Sequence, residues 1–199
     1  MSEIDQSELK RIQRKYGVPG SREWPKYVEA ERFLKLNIRR VQDIGLDRMP
    51  PQRILDLGSG AGYFLFVNRI LGHTGLGLDV DNCPLFREMF ELFGLRRIIY
   101  RIEKFKPLPD TGAPYDWITA FSVSFSVTFA GRSHFTPWGV AEWDYFLQDA
   151  RTHLAPGGRI YLDLNPQQNG AAYSDELRDF FLDQGAVIDR QSKLLFPSK

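Results

Sequence analysis

The chain has 199 residues, with 26 Lys and Arg against 25 Asp and Glu, a formal net charge of +1 and 43% apolar residues. Such a length supports a full hydrophobic core, and the near-neutral balance argues against a nucleic-acid footprint spread over the surface. Cys83 is the single cysteine, which excludes an internal disulfide and a cysteine-built zinc cage.

The N-terminus, MSEIDQSELKR, is polar and lacks the apolar core of a signal peptide. No apolar run approaches the roughly 20 residues that span a bilayer. The expectation is a cytoplasmic protein with no membrane and no nucleic-acid partner. The basic pairs Arg39–Arg40 and Arg96–Arg97 read as solvated faces.

Residues 2–16 read as a short helix, broken by Gly17-Val18-Pro19-Gly20. From 23 to 45, Tyr27, Ala30, Phe33, Leu34, Ile38 and Val41 recur at near-helical spacing. Met49-Pro50-Pro51 is a linker, so residues 1–50 form a helical extension ahead of a domain at 51–199. A buried strand is predicted at 53–57, a helix at 62–71, a strand at 75–80, a helix at 84–94 and a strand at 97–102. The segment 104–115 is a proline-containing loop. A strand at 116–122, a helix at 141–154, a turn at Pro156-Gly157-Gly158 and a strand at 159–164 follow. Ser174 caps a helix at 174–184. The tail reads as two short strands joined near Gln191–Ser192. The sum is an α/β fold: a doubly wound, mostly parallel, Rossmann-like sheet of seven strands, ending in an antiparallel hairpin and preceded by extra N-terminal helices. In such sheets the ligand lies beyond the carboxyl ends of the strands.

Beyond the first strand, Gly58, Gly60 and Gly62 alternate with Ser59 and Ala61, and Asp56 stands just before them. Glycines permit a tight turn and a close ligand approach, and the following helix offers unpaired N–H groups. Asp79 ends the second strand, where a carboxylate can accept hydrogen bonds from a ribose diol. A dinucleotide fingerprint, G-x-G-x-x-G, fails at both offsets, because Tyr63 and Leu65 stand where its third glycine belongs.

These residues resemble the class I S-adenosylmethionine-dependent methyltransferases. ILDLGSGAGYF is similar to their first motif and GLGLDVD to their second-strand motif. YDWITAF and FLQDARTHLAPGGRIYLDL resemble the later segments, so the likeness covers about residues 52–165 in order. It implies S-adenosyl-L-methionine as cofactor, with the methionine part at the turn of Gly58, Ser59, Gly60 and Gly62, and Asp56 and Tyr63 among the cofactor-binding residues. It further implies Asp79 at the ribose, Val80, Ile102 and Glu103 flanking the adenine, and Phe121 on the cofactor side. Family members often carry Asp or Asn where Glu103 stands.

Methyl transfer to an O or N atom needs alignment and water exclusion more than a catalytic side chain. The acceptor side is expected at 121–138, FSVSFSVTFAGRSHFTPW. Ser122, Phe125, His134 and Trp138 are its candidate residues, with Tyr27 closing from the N-terminal extension. Trp24 is a further candidate for that closure. His134 is the candidate base, since histidine titrates near neutrality. The three histidines share no ligand spacing, so no metal is expected. A small-molecule acceptor is the first expectation. An RNA or protein methyltransferase, or a non-catalytic cofactor-binding interaction protein, stands beside it. The strand-four sequence Phe121-Ser122-Val123-Ser124 lacks the Asn/Asp-Pro-Pro-aromatic run that would suggest an amino group on a base or glutamine.

Overall fold

In the computed structural model, the residues described are 3–18, 25–112, 114–123, 125, 137–166, 170–190 and 192–197. Trp24 and His134 lie outside them. The chain divides into two compact units, Met1–Tyr100 and Arg101–Lys199.

The first unit opens with helix α1, Gln6–Tyr16, capped by the Asp5 carboxylate, which accepts from the Ser7 and Glu8 N–H groups. The expected helix at 23–45 divides. Pro25–Val28 is a 3-10 turn, and α2 begins only at Ala30 and runs to Asp43. Strand β1, Arg53–Leu57, leads into α3, Tyr63–Ile70. Strand β2, Thr74–Asp79, leads into α4, Pro84–Leu92, which takes proline in its first turn. Strand β3 is Arg96–Ile99, so Ile102 and Glu103 fall beyond the strand. The three strands run parallel in the order β3-β2-β1.

The N-terminal helices share a core with the helices that follow β1 and β2. Leu9, Ile12, Tyr16 and Val28 pack with Tyr63, Phe66, Met89 and Phe93. Glu88 fastens α1 to α4, accepting from Arg11, Lys15 and the Tyr16 hydroxyl at 2.6 Å each. Burial opposes its ionisation, yet these three donors outweigh burial and hold the Glu88 carboxyl at about 2. The His73 ring joins two connections. Its Nδ1 accepts from the Gln52 N–H, and Nε2 lies 3.0 Å from the Leu46 carbonyl.

The second unit holds β4, Tyr115–Val123, α5, Val140–Thr152, and β5, Leu154–Leu164. Helix α6, Asp175–Asp183, is capped by Ser174 as predicted. Strands β6, Val187–Asp189, and β7, Lys193–Phe196, complete the unit. The expected turn at 156–158 is an excursion within β5. Leu154 pairs with Tyr115 and Arg159 with Trp117, so the intervening residues loop out of the ladder. The order is β4-β5-β7-β6, with β7 antiparallel to both β5 and β6. The seven strands belong to one mixed sheet with flanking helices, the expected fold class.

Among the described residues no helix is long and apolar enough to cross a membrane, and no group of three or more metal-ligating side chains gathers.

Candidate functional site

The first unit builds its site from backbone. After β1, the Gly58 N–H donates to the Leu78 carbonyl at 2.7 Å, and Ser59 to the same oxygen at 3.3 Å. The Gly62 N–H closes the turn on the Ser59 carbonyl at 2.9 Å. Gly60 and Gly62 hold φ of 54° and 77°, the left-handed region that a side chain disfavours. Their surroundings differ. A Cβ on Gly60 would find its nearest atom, Phe86 Cζ, at 3.9 Å, so this point of the turn is open. A Cβ on Gly62 would meet Phe90 at 2.8 Å and Leu95 at 3.1 Å. Gly62 is thus fixed by both conformation and packing.

Asp79 completes the turn. Its Oδ2 accepts from the Gly60 N–H and its Oδ1 from the Val80 N–H, at 2.5 and 2.7 Å. Burial pushes this carboxyl above its ordinary value, opposed by those two donors and by the Arg97 charge. Each carboxylate oxygen retains acceptor capacity beyond the one N–H it takes. Asp56 is buried on β1.

Aromatic rings stand around the turn. Tyr27 lies 4.8 Å from Phe33 and meets Phe86 edge-on at 5.1 Å. The Tyr63 hydroxyl donates to the Tyr27 carbonyl at 2.8 Å, tying the 3-10 turn to the first residue of α3. Burial raises the phenols of both Tyr27 and Tyr63, and at Tyr27 the Asp79 charge adds to it. Gly58, Ser59, Gly60, Gly62, Tyr63, Asp79, Val80 and Tyr27 are therefore gathered in this unit.

Arg97 was missed. Expected on a solvated face, it lies on β3 with its side chain only 9% exposed, and its Nη2 donates to Asp81 at 2.6 Å. Register places Arg97 opposite Gly77, and its guanidinium lies over the Phe90 ring, 5.8 Å from its centre. Phe90 was also missed. Its ring fills the space above Gly62 and Gly77.

The second unit carries the remaining candidates. Phe121 is buried on β4 and tilts against Tyr161 at 5.4 Å. Ser122 holds a left-handed φ of 57° at a register shift near the end of β4, and its carbonyl accepts from Asn165 Nδ2 at 2.7 Å. Phe125 and Trp138 are buried, 5.2 Å apart, in a cluster with Trp143 and Phe146. Ile102 is half-buried, and Glu103 is exposed and pairs with Lys106 at 2.9 Å, which lowers its carboxyl below the ordinary value.

The parallel first unit, the reversed hairpin of the second and the glycine turn after β1 define the fold of the class I S-adenosylmethionine-dependent methyltransferases. No family model matches the sequence, and no curated protein matches it. Solved structures do match. An O-methyltransferase family protein from Burkholderia thailandensis is similar with a TM-score of 0.56 at 11% identity, over 100% of this chain and 64% of its own. The glycopeptide N-methyltransferase MtfA gives 0.51 at 12% identity, over 84% and 90% of the two chains. An O-methyltransferase family 2 protein from Planctomyces limnophilus, in complex with apigenin, gives 0.50 at 16% identity, over 86% and 61%. The present chain thus spans less than two thirds of both O-methyltransferase chains.

Proposed function

We propose that this chain is an S-adenosylmethionine-dependent methyltransferase that methylates an O or N atom of a small-molecule acceptor. The observation that carries the reading is Asp79. Its carboxylate is held by the Gly60 and Val80 N–H groups beside a turn left open at Gly60. The residues fit the group. Two spare acceptor positions suit a ribose diol, and a turn with glycine at 58, 60 and 62, ahead of a helix with no side-chain cap, suits the methionine end. Asp56, Gly58, Ser59, Gly60, Gly62 and Tyr63 would hold that end, Asp79 the ribose, and Val80, Ile102 and Glu103 the adenine, with Phe121 on the cofactor side.

When bound, the cofactor supplies an activated methyl on a sulfonium. The protein's own part is to align and to exclude water. Tyr27, set against Phe33 and Phe86, would close from residues 1–50 over the domain at 51–199. Ser122, Phe125 and Trp138 would shape the acceptor side. His134 would take the proton of a hydroxyl or ammonium acceptor, and a carboxylate acceptor would need no base. The structural neighbours include an O-methyltransferase family protein in complex with apigenin, which supports the small-molecule reading.

The test is a panel of phenols, amines and carboxylates incubated with S-adenosylmethionine and followed by release of S-adenosylhomocysteine. At least one acceptor class should turn over, and Asp79→Ala should remove the activity. With a phenol or amine, His134→Gln should lower the rate most near neutral pH. Turnover confined to bulk RNA or to protein substrates would replace the small-molecule reading.

A further inference from the structure

Strand β3 places a buried cation beside the strand that ends in Asp79. The parallel register pairs Gly77 with Arg97 and Asp79 with Ile99. Side chains alternate along a strand, and paired residues share a face, so Arg97 emerges on the face of Gly77 and Asp79. Gly77 lets Ser59 and Phe90 close over that face. A Cβ there would stand 2.6 Å from Ser59 Oγ and 2.7 Å from Phe90. The Arg97 guanidinium lies over the Phe90 ring, 5.8 Å from its centre, while Nη2 is tied to Asp81. Arg97 Nη1 and Ser59 Oγ are both buried without a hydrogen-bond partner. Nη1 is therefore out of water, while Nη2 meets the half-exposed Asp81.

A ribose diol needs acceptors. Burial favours the neutral form of Asp79, which would present a hydroxyl donor instead. Two backbone N–H groups oppose that tendency, and Arg97 is the cation that adds to them. The charged and titratable groups facing this arrangement, among the described residues, include Asp56, buried on β1 and paired in register with Gly77, and Arg40 of α2, which acts on Tyr27. Tyr27 comes from the 3-10 turn, Arg97 from β3 and Asp81 from the connection after β2. Arg87 of α4 lies 3.6 Å from Asp81, and Cys83, ahead of that helix, acts on Tyr27.

We propose that Arg97 is a positioning residue for the nucleoside: anchored by Asp81 and packed on Phe90, it supplies the buried positive charge that keeps Asp79 an acceptor for the ribose. The proposal rests on the reading of Asp79 as the ribose carboxylate. Its sign is definite. Without the Arg97 charge, Asp79 holds its proton to higher pH, so affinity is lost at low pH and regained as pH rises.

The experiment is calorimetric titration of S-adenosylhomocysteine into the full chain, from about pH 5.5 to about pH 8.5. The variants are Arg97→Met, Arg97→Lys and Arg97→Gln, each checked by thermal melting. Arg97→Met should bind at least about tenfold more weakly at the low end and recover most of the loss at the high end. Arg97→Lys should stay within about threefold of the parent, because it keeps the charge. Arg97→Gln, which removes the charge and keeps a polar side chain, should show the same trend as Arg97→Met. It also decides the matter if Arg97→Met fails to fold. An Arg97→Met affinity equal to the parent, or reduced equally at every pH, overturns the proposal while leaving the cofactor reading intact. If Arg97→Met does not fold, a flat Arg97→Gln profile does the same. A parent chain that binds no S-adenosylhomocysteine overturns both.

Discussion

The ends of β1 and β4 both turn the chain through left-handed backbone, by different means. After β1 the turn uses glycine at each such position, and its geometry is fixed by hydrogen bonds to the Leu78 and Ser59 carbonyls. Near the end of β4 a serine, Ser122, takes the left-handed conformation, with its carbonyl held by the Asn165 side chain. Next to it Phe125 and Trp138 pack with Trp143 and Phe146 into an aromatic cluster. One region is specified by backbone requirements and the other by side-chain shape. A ligand part common to many proteins suits the first kind of recognition. An acceptor that differs from protein to protein suits the second.

Four substitutions can break or sharpen that contrast. The largest effect on stability should come from Trp143→Ala. Trp143 is buried and meets Phe125, Trp138, Phe146 and Phe181, so its loss should destabilise the fold by roughly 3–5 kcal/mol. Denaturant unfolding would measure this, and S-adenosylhomocysteine affinity of the folded fraction should stay unchanged. A matching loss of affinity would mean that the two regions are one energetic unit.

Gly62→Ala comes next. The new methyl meets Phe90 at 2.8 Å, and the backbone sits at φ 77°. Strain and overpacking together should cost roughly 2 kcal/mol or more, read as a lowered midpoint in denaturant. Gly60 provides the internal control. With the nearest atom at 3.9 Å, Gly60→Ala meets the backbone strain alone and should cost less.

Glu88→Gln should have the smallest effect, about 1 kcal/mol, since two of its three donors are half-exposed. Its pH dependence is the sharper signature. The folded carboxyl titrates at about 2, below its ordinary value, so the contribution is present above the ordinary range and lost as pH falls towards 2. Acid melts of the parent should show this loss, and Glu88→Gln should flatten it. An unchanged acid profile would show that the α1–α4 network holds no net stability.

The legibility of the sequence follows the same contrast. Period-two and period-3.6 patterns located the strands and most helices, and Ser174 and the glycine turn marked their ends correctly. The Tyr27 region misled, because apolar spacing continues across the 3-10 turn at Pro25–Val28 and does not record where the helix begins. The excursion at 156–158 was read as a strand boundary, because only the pairing of Arg159 with Trp117 shows the ladder resuming. At the site, Asp79 was visible because a carboxylate at a strand end follows a rule of the fold. Arg97 was not. An arginine beside another arginine reads as surface, and its contacts with Phe90 and Asp81 come from elements distant in sequence. Ser122 was named for its position, but its strained backbone has no signature in residue type.

The central claim is that the glycine turn and Asp79 form one nucleoside site, and calorimetric titration of S-adenosylhomocysteine into the parent and Asp79→Ala chains tests it most directly. Two hydrogen bonds to a charged acceptor are at stake, each worth about 1.5–3 kcal/mol, so Asp79→Ala should weaken binding by at least about 100-fold. One-site binding to the parent that survives unchanged in a folded Asp79→Ala chain would contradict the account.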